Sequence, residues 1–253
     1  MSVFAPAPGA APRSRVIAAQ TAYEIRTLLR NGEQLLLTLI IPVVLLLLFG
    51  ATSLLELGTS DRVGFLAPGI LALAVMSTAF TGQAIGTGFE RRYGVLKRLG
   101  ATPLSRSGLI AAKTLTVIAV EILQAVVIAV VALALGWHPH GNPLSVILLV
   151  LLGTAAFSGL GLLMAGTLRA EATLAAANLV YVLLLAVGGV IFPLTKFPPA
   201  ARSVLELLPI SALADGLRQV LQHGAALPVR DLLVLAVWAL IALPAAARLF
   251  RWE

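Results

Sequence analysis

The chain has 253 residues, of which 59% are hydrophobic and 11% charged, with a net charge of +7 and no cysteine. A soluble domain carries about 25% charge, so the charged groups are too few to cover a globular surface, and the lack of cysteine excludes disulfides, thiol catalysis and thiolate-bound metal. The positive charge is not a nucleic-acid footprint either, because the basic residues gather at the ends of apolar runs without interleaved aromatics.

In chain order, residues 1–14 are rich in Ala and Pro, lack the apolar core of a signal peptide, and read as a disordered cytoplasmic tail. Residues 15–33 place Val16, Ile17, Tyr23, Ile25, Leu28 and Leu29 on one helical face and Arg15, Glu24, Arg26 and Arg30 on the other. This pattern predicts a helix lying along the membrane interface; a cytoplasmic extension of the first span is the plainer alternative.

Apolar runs near 20 residues match the roughly 30 Å hydrocarbon core of a bilayer. They predict an all-α polytopic membrane protein with six transmembrane helices at about 35–56, 65–89, 111–135, 144–168, 173–192 and 231–248. Pro42 is a candidate kink in the first. The second is small and polar, with Ser77, Thr78, Thr81, Gly82, Gln83, Gly86 and Thr87. Such residues serve close helix packing, or else line a pathway. The fourth carries Gly153, Gly159, Gly161 and Gly166. Between the last two spans, 193–224 is too long for a turn. It is expected to form two short helices, Ala200 to Leu208 and Leu213 to His223, separated by Pro209, as a re-entrant hairpin or a surface cap.

Residues 90–106 form a charged island with five of the 18 Lys and Arg residues. With six spans, 13 of the 18 fall on the side of the island and both termini, which the positive-inside rule makes cytoplasmic; Lys113 is counted with that side and Arg218 with the other. The island is more than a topology signal. Arg91, Arg92, Lys97, Arg98 and Arg106 offer charge, Tyr93, Val95, Leu96 and Leu99 interleave an apolar face, and Gly100 and Pro103 end the short helix. The pattern fits docking onto a soluble partner.

Within the spans, Glu121 is the one deep acidic residue, with Gln124 one turn on. Such a group is a pathway or coupling residue, or an internally bonded one. Gln83 and Asn178 are further pathway candidates. No phosphate-binding loop is present: Lys97, Lys113 and Lys196 are the only lysines, and Lys113-Thr114 follows Ala112 with no glycine-rich turn upstream. His138 and His140 lack the further ligands a metal site needs. The chain is expected to bind no metal or cofactor itself and to be no enzyme.

Taken together, the amphipathic segment 15–33, the run Phe89 to Ser105 between spans 2 and 3, and 193–224 with Leu208-Pro209 and Gly216-Leu217-Arg218 resemble the type-2 ABC transporter permeases. The resemblance covers nearly the whole chain. It implies the transmembrane subunit of an exporter in a prokaryotic plasma membrane, moving a drug-like, lipid-like or other amphipathic cargo. Two P-loop ATPase subunits would bind ATP and Mg, and a second permease subunit, identical or homologous, would complete the pathway. Glu90, Arg91, Arg92, Tyr93, Val95, Leu96, Lys97, Arg98, Leu99, Thr102 and Pro103 would seat in the ATPase. The competing readings are an ion-driven secondary transporter, which predicts paired intramembrane charges and two similar halves, a membrane enzyme, and a non-transporting assembly factor on the same fold.

Overall fold

The computed structural model describes residues 11–30, 32–52 and 61–250, with the side chains of 33–37 excepted. The described residues are helical and contain no strand. In chain order they form α1 (Arg13–Arg30), α2 (Gly32–Ala51), α3 (Arg62–Val75), a π-helical stretch (Met76–Gly82), α4 (Gln83–Arg92), α5 (Val95–Gly100), α6 (Arg106–Ala134), α7 (Pro143–Thr167), α8 (Ala170–Val187), a 3₁₀ turn (Leu194–Lys196), α9 (Pro199–Leu205), α10 (Pro209–Leu221) and α11 (Val229–Leu249).

Among the described residues, five helices are long and apolar enough to cross a membrane: Arg62–Arg92, which joins α3, the π stretch and α4, then α6, α7, α8 and α11. The described side chains of α2 form a shorter apolar helix, Thr38–Ala51, with Pro42 inside it. The expected span 35–56 runs past this point, and its residues 53–56 lie outside the described residues, as do residues 1–10, Asn31 and 251–253. Arg13 and Ser14, expected in the tail, already belong to α1.

Local chemistry sets the helix ends. Asp61, Ser105 and Asn142 cap α3, α6 and α7, their side chains accepting from the backbone N–H of Gly64, Gly108 and Leu144. Pro143, Pro199 and Pro209 occupy first-turn positions, where a missing N–H costs nothing. Pro209 therefore begins α10 rather than separating two helices, which corrects the expected start at Leu213. Span 5 also ends sooner than expected. The chain leaves the helix at Gly188, and Gly189 adopts φ +71°, a left-handed conformation that favours glycine.

The helix Arg62–Arg92 is the most buried of the five and forms the centre of the bundle. The closest partnership is α7 with α11. In lipid, helices associate through van der Waals packing rather than expulsion of water, so small residues matter. At Gly159 a Cβ would sit 2.7 Å from the Ala242 Cβ and 2.8 Å from backbone, so only glycine permits this approach. At Gly161 it would lie 2.7 Å from the Phe80 carbonyl oxygen, which seats the π stretch on α7. Close packing thus accounts for these two glycines of span 4.

The segment 193–224 divides. α9 is exposed, while α10 is buried along most of its length against α3, α7 and α11. α10 is thus an internal element of the bundle and not a surface cap.

Candidate functional site: the basic turn and the polar bundle core

The basic turn is built from the end of α4, Gly94 at φ +70°, the short helix α5, and a loop closed by the Ser105 cap of α6. Its side chains separate into two sets. The inward set ties the turn to the rest of the chain. Leu96 is fully buried in a small core with Leu104, Leu109, Leu162 and Phe250, against which Val16 and Ile17 of α1 also pack. Glu90 points at Lys113 of α6, Oε2 to Nζ 2.7 Å, and Glu24 of α1 lies 3.5 Å from the same ammonium. Arg91 donates to the Leu168 carbonyl at the end of α7, and Arg92 pairs with Glu171 at the start of α8. These residues hold the turn against α1, α6, α7 and α8.

The outward set is Tyr93, 67% exposed, with Lys97, Arg98, Thr102 and Pro103, all exposed, and the half-buried Val95 and Leu99. Tyr93 stacks on Phe89 at 6.1 Å and lies 6.0 Å from the Arg92 guanidinium. Thr102 donates to the Leu99 carbonyl, while its hydroxyl accepts from Leu104 N–H, a local turn that ends α5. Of the docking candidates, Glu90 and Leu96 are therefore turned into the protein, and Arg91 and Arg92 are engaged within it.

By position in the sequence Lys113 counts as an orientation charge. It is a buried hub joining α1, α4 and α6, with its side chain 6% exposed. The available signal was the spacing from Ser105: position 113 lies two turns into the helix, inside an apolar run, too deep for a simple end charge.

The polar core lies at mid-depth of the spans. Glu121 is 4% exposed; its Oε2 accepts from the Thr154 hydroxyl of α7, and its Oε1 has no hydrogen-bond partner among the described residues. Gln124 donates to the Thr38 carbonyl of α2 at 3.1 Å and accepts from Thr78 of the π stretch at 3.0 Å. One amide thereby joins three helices. Gln83 is buried with both amide atoms unpaired among the described residues. Asn178 stands apart on the exposed side of α8, donating to the Leu174 carbonyl. The four pathway candidates therefore do not converge on one site.

A stripe along span 2 stays partly open. Ser77, Thr78, Thr81 and Gly82 are half-buried, Gly86 is exposed, and a Cβ at Gly86 would meet no atom within 4 Å. Packing against this chain does not account for Gly86, unlike Gly88, which faces Thr173. The π stretch covers the upper part of this stripe, and π segments interrupt helices mostly at functional positions.

Sequence reasoning also passed over Arg218, counted only as a charge on the far side. It is buried in α10 and donates to the carbonyls of Phe65 (3.2 Å), Gly189 (2.7 Å) and Val190 (2.6 Å). Its guanidinium lies 3.9 Å from the Phe65 ring centroid. Burial lowers its pKa to about 10 against the opposing pull of Asp215. The carbonyls freed where α8 breaks thus find donors, as buried backbone requires.

Comparison with known proteins places this geometry. Residues 15–221 match the ABC-2 type transporter family. The chain is 30% identical to the putative transport permease ycf38 of Porphyra purpurea, over 76% of this chain and 68% of that one. The corresponding protein of Pyropia yezoensis is also 30% identical, over 75% and 68%. The linearmycin resistance permease protein LnrN of Bacillus subtilis is 32% identical, over 63% of this chain and 41% of its own length. With five apolar helices of spanning length, a basic turn after the most buried of them and a family match across most of its length, the chain belongs to the ABC-2 type transporter family and is a multi-pass transport permease subunit.

Proposed function

We propose that this chain is the permease subunit of an ATP-driven exporter, energised by a pair of P-loop ATPase subunits that bind ATP and Mg. The observation that carries the reading is the division of the basic turn. Lys97 and Arg98 face outward on the short helix α5, and Tyr93 faces outward at the end of α4, on a turn whose root is fixed to four other helices. Charge and an apolar rim on a braced projection suit a groove on a soluble partner. A topology signal alone needs neither the buried Leu96 nor the brace.

A second permease copy or homologue completes the pathway in this reading. Polar atoms facing lipid are costly, so the open stripe Ser77, Thr78, Thr81 and Gly86 and the exposed Asn178 suit a face covered by another subunit or by a water-filled passage. Cargo is a drug-like or lipid-like amphipathic molecule, a class to which the linearmycin resistance permease lends support by its name. The setting is a prokaryotic plasma membrane with both termini cytoplasmic. ATP binding drives the change because the closed ATPase dimer favours one arrangement of the spans over the other.

The test is reconstitution with the cognate ATPase. Lys97→Glu with Arg98→Glu should abolish co-purification and cargo-stimulated ATP hydrolysis, while Arg169→Glu, also basic and outside the turn, leaves both in place. Unchanged assembly and stimulation in the double variant overturns the docking reading.

A further inference from the structure

Glu121 stands in the middle of α6 with its side chain inside the bundle, 4% exposed. The elements packed on α6 are α1, α2, α3, the π stretch, α7 and α11. α7 and the π stretch contain no ionisable side chain. On α1 and α6, Glu24 and Lys113 are engaged with one another and with Glu90, and Lys113 lies two turns from Glu121, about 12 Å along the helix. The other ionisable groups of α1 are exposed, as is Arg106 at the start of α6. Arg62 of α3 donates to the Phe49 carbonyl at the end of the bundle opposite the basic turn. Arg230 and Asp231 begin α11 at that end, and Arg248 lies in the last turn of α11. The side chain of Glu33 in α2 lies outside the described residues. Among the described residues, Thr154 alone acts on Glu121.

The contacts around this carboxyl are short of one hydrogen. Thr154 Oγ1 lies 2.5 Å from Glu121 Oε2 and 2.8 Å from the Val150 carbonyl, one turn back on α7. Both are acceptors while Glu121 is ionised, and a hydroxyl has a single hydrogen. An ionised Glu121 is therefore held by one donor at most. Its Oε1 is buried without a partner among the described residues, although a carboxylate can accept about four hydrogen bonds. A buried charge is tolerated when it is paired as well as hydrogen-bonded, and the pair is missing. One proton on Oε2 completes the set. The carboxyl O–H donates to Thr154 Oγ1, the Thr154 hydroxyl donates to the Val150 carbonyl, each hydrogen has an acceptor, and no charge is buried.

We propose that Glu121 is a proton-binding site at the contact of α6 with α7, occupied at neutral pH, and that the Thr154 hydroxyl turns with its occupancy. With the proton bound, the hydrogen bonds run from Glu121 to Thr154 to Val150. With the proton released, Thr154 turns its hydrogen onto Oε2. The O–H bond is the one bond broken: its electron pair stays on the carboxylate and the proton passes to water. Water reaches these oxygens only where α6 parts from α7, so a bound proton favours the packed arrangement over an opened one. The site is independent of the ATPase reading, since neither residue belongs to the basic turn.

The test is infrared spectroscopy of the full chain in phosphatidylcholine nanodiscs at pH 7, in the carbonyl region of protonated carboxylic acids. A glutamate in water has lost its proton at that pH, so a band there reports a carboxyl that keeps one. The parent should show such a band, and Glu121→Gln should remove it, while Glu24→Gln, which alters the Lys113 pair, should leave it in place. Thr154→Val should move or abolish the band, because the acid loses the oxygen it donates to, and Thr154→Ser should restore it. Thermal melting of each variant separates a lost proton from a lost fold. Glu121→Gln keeps an N–H donor where the O–H stood and should melt with the parent; should it fail to fold, the Thr154 variants decide. Absence of a band that Glu121→Gln removes, or a band unmoved in folded Thr154→Val, overturns the proposal.

Discussion

Replacing Lys113 with Met tests how the basic turn is braced. The ammonium lies 2.7 Å from Glu90 and 3.5 Å from Glu24, and the three side chains are 6%, 34% and 14% exposed. The Glu90 contact is a short ion pair whose worth is mainly Coulombic. Removing one partner of a fully buried pair costs ~3–5 kcal/mol, because the other charge is stranded. Here two carboxylates are stranded side by side, but Glu90 is a third exposed and water screens it, so a loss of ~2–4 kcal/mol is expected. Met keeps the length and apolar stem of the lysine, which limits any cavity contribution. The assay is reversible unfolding in detergent micelles, read by circular dichroism, for Lys113→Met and for the triple variant with Glu24→Gln and Glu90→Gln. Removing the stranded charges should recover more than half of the loss. A single variant as stable as the parent, or a triple variant no better than the single, would refute the reasoning, because the lysine would then act by volume alone.

Thr154→Val removes the hydroxyl that donates to Glu121 while keeping the shape, and should lower stability by ~1–3 kcal/mol, the cost of leaving a buried acceptor unmade. Thr154→Ser should restore most of it in the same unfolding assay, and a neutral Thr154→Val would mean that Glu121 does not depend on this bond. Glu206 is held below the ordinary carboxylate range by hydrogen bonds from Arg230 first and Arg202 second. Its contribution is therefore complete above the unfolded pKa, about 4.3, and is lost as pH falls through the lower folded value. A melting series from pH 7 to 3 should show a decline below that point that Glu206→Gln abolishes; an identical acid profile in the variant would contradict the assignment.

Much of the helical pattern was legible because bilayer thickness and hydropathy constrain it so strongly. Spans 2, 3, 4 and 6 were placed within a few residues of α3–α4, α6, α7 and α11. The expected span 5 ends five residues past α8 and starts three residues inside it, since Val190 and Ile191 are as apolar as the helix they follow; Gly188 and Gly189, where the chain turns, are the signal. α10 begins at Pro209 and not at Leu213, because proline, which breaks a helix interior, is at home in a first turn.

The site was legible in outline only. That basic charge gathers at residues 90–106, and that these form a turn with a short helix, follows from residue type and order, because charge, hydropathy and local turn chemistry act over a few residues. The partners of each charge do not follow. Lys113 and Arg218 look like orientation charges in a linear reading, and only tertiary packing brings Glu24 and Glu90 to one, and the carbonyls of Phe65, Gly189 and Val190 to the other. Packing also divides the basic turn into residues that brace it and residues that face outward. Those outcomes depend on atoms far apart in the chain meeting within hydrogen-bond distance, and no local pattern encodes such a meeting.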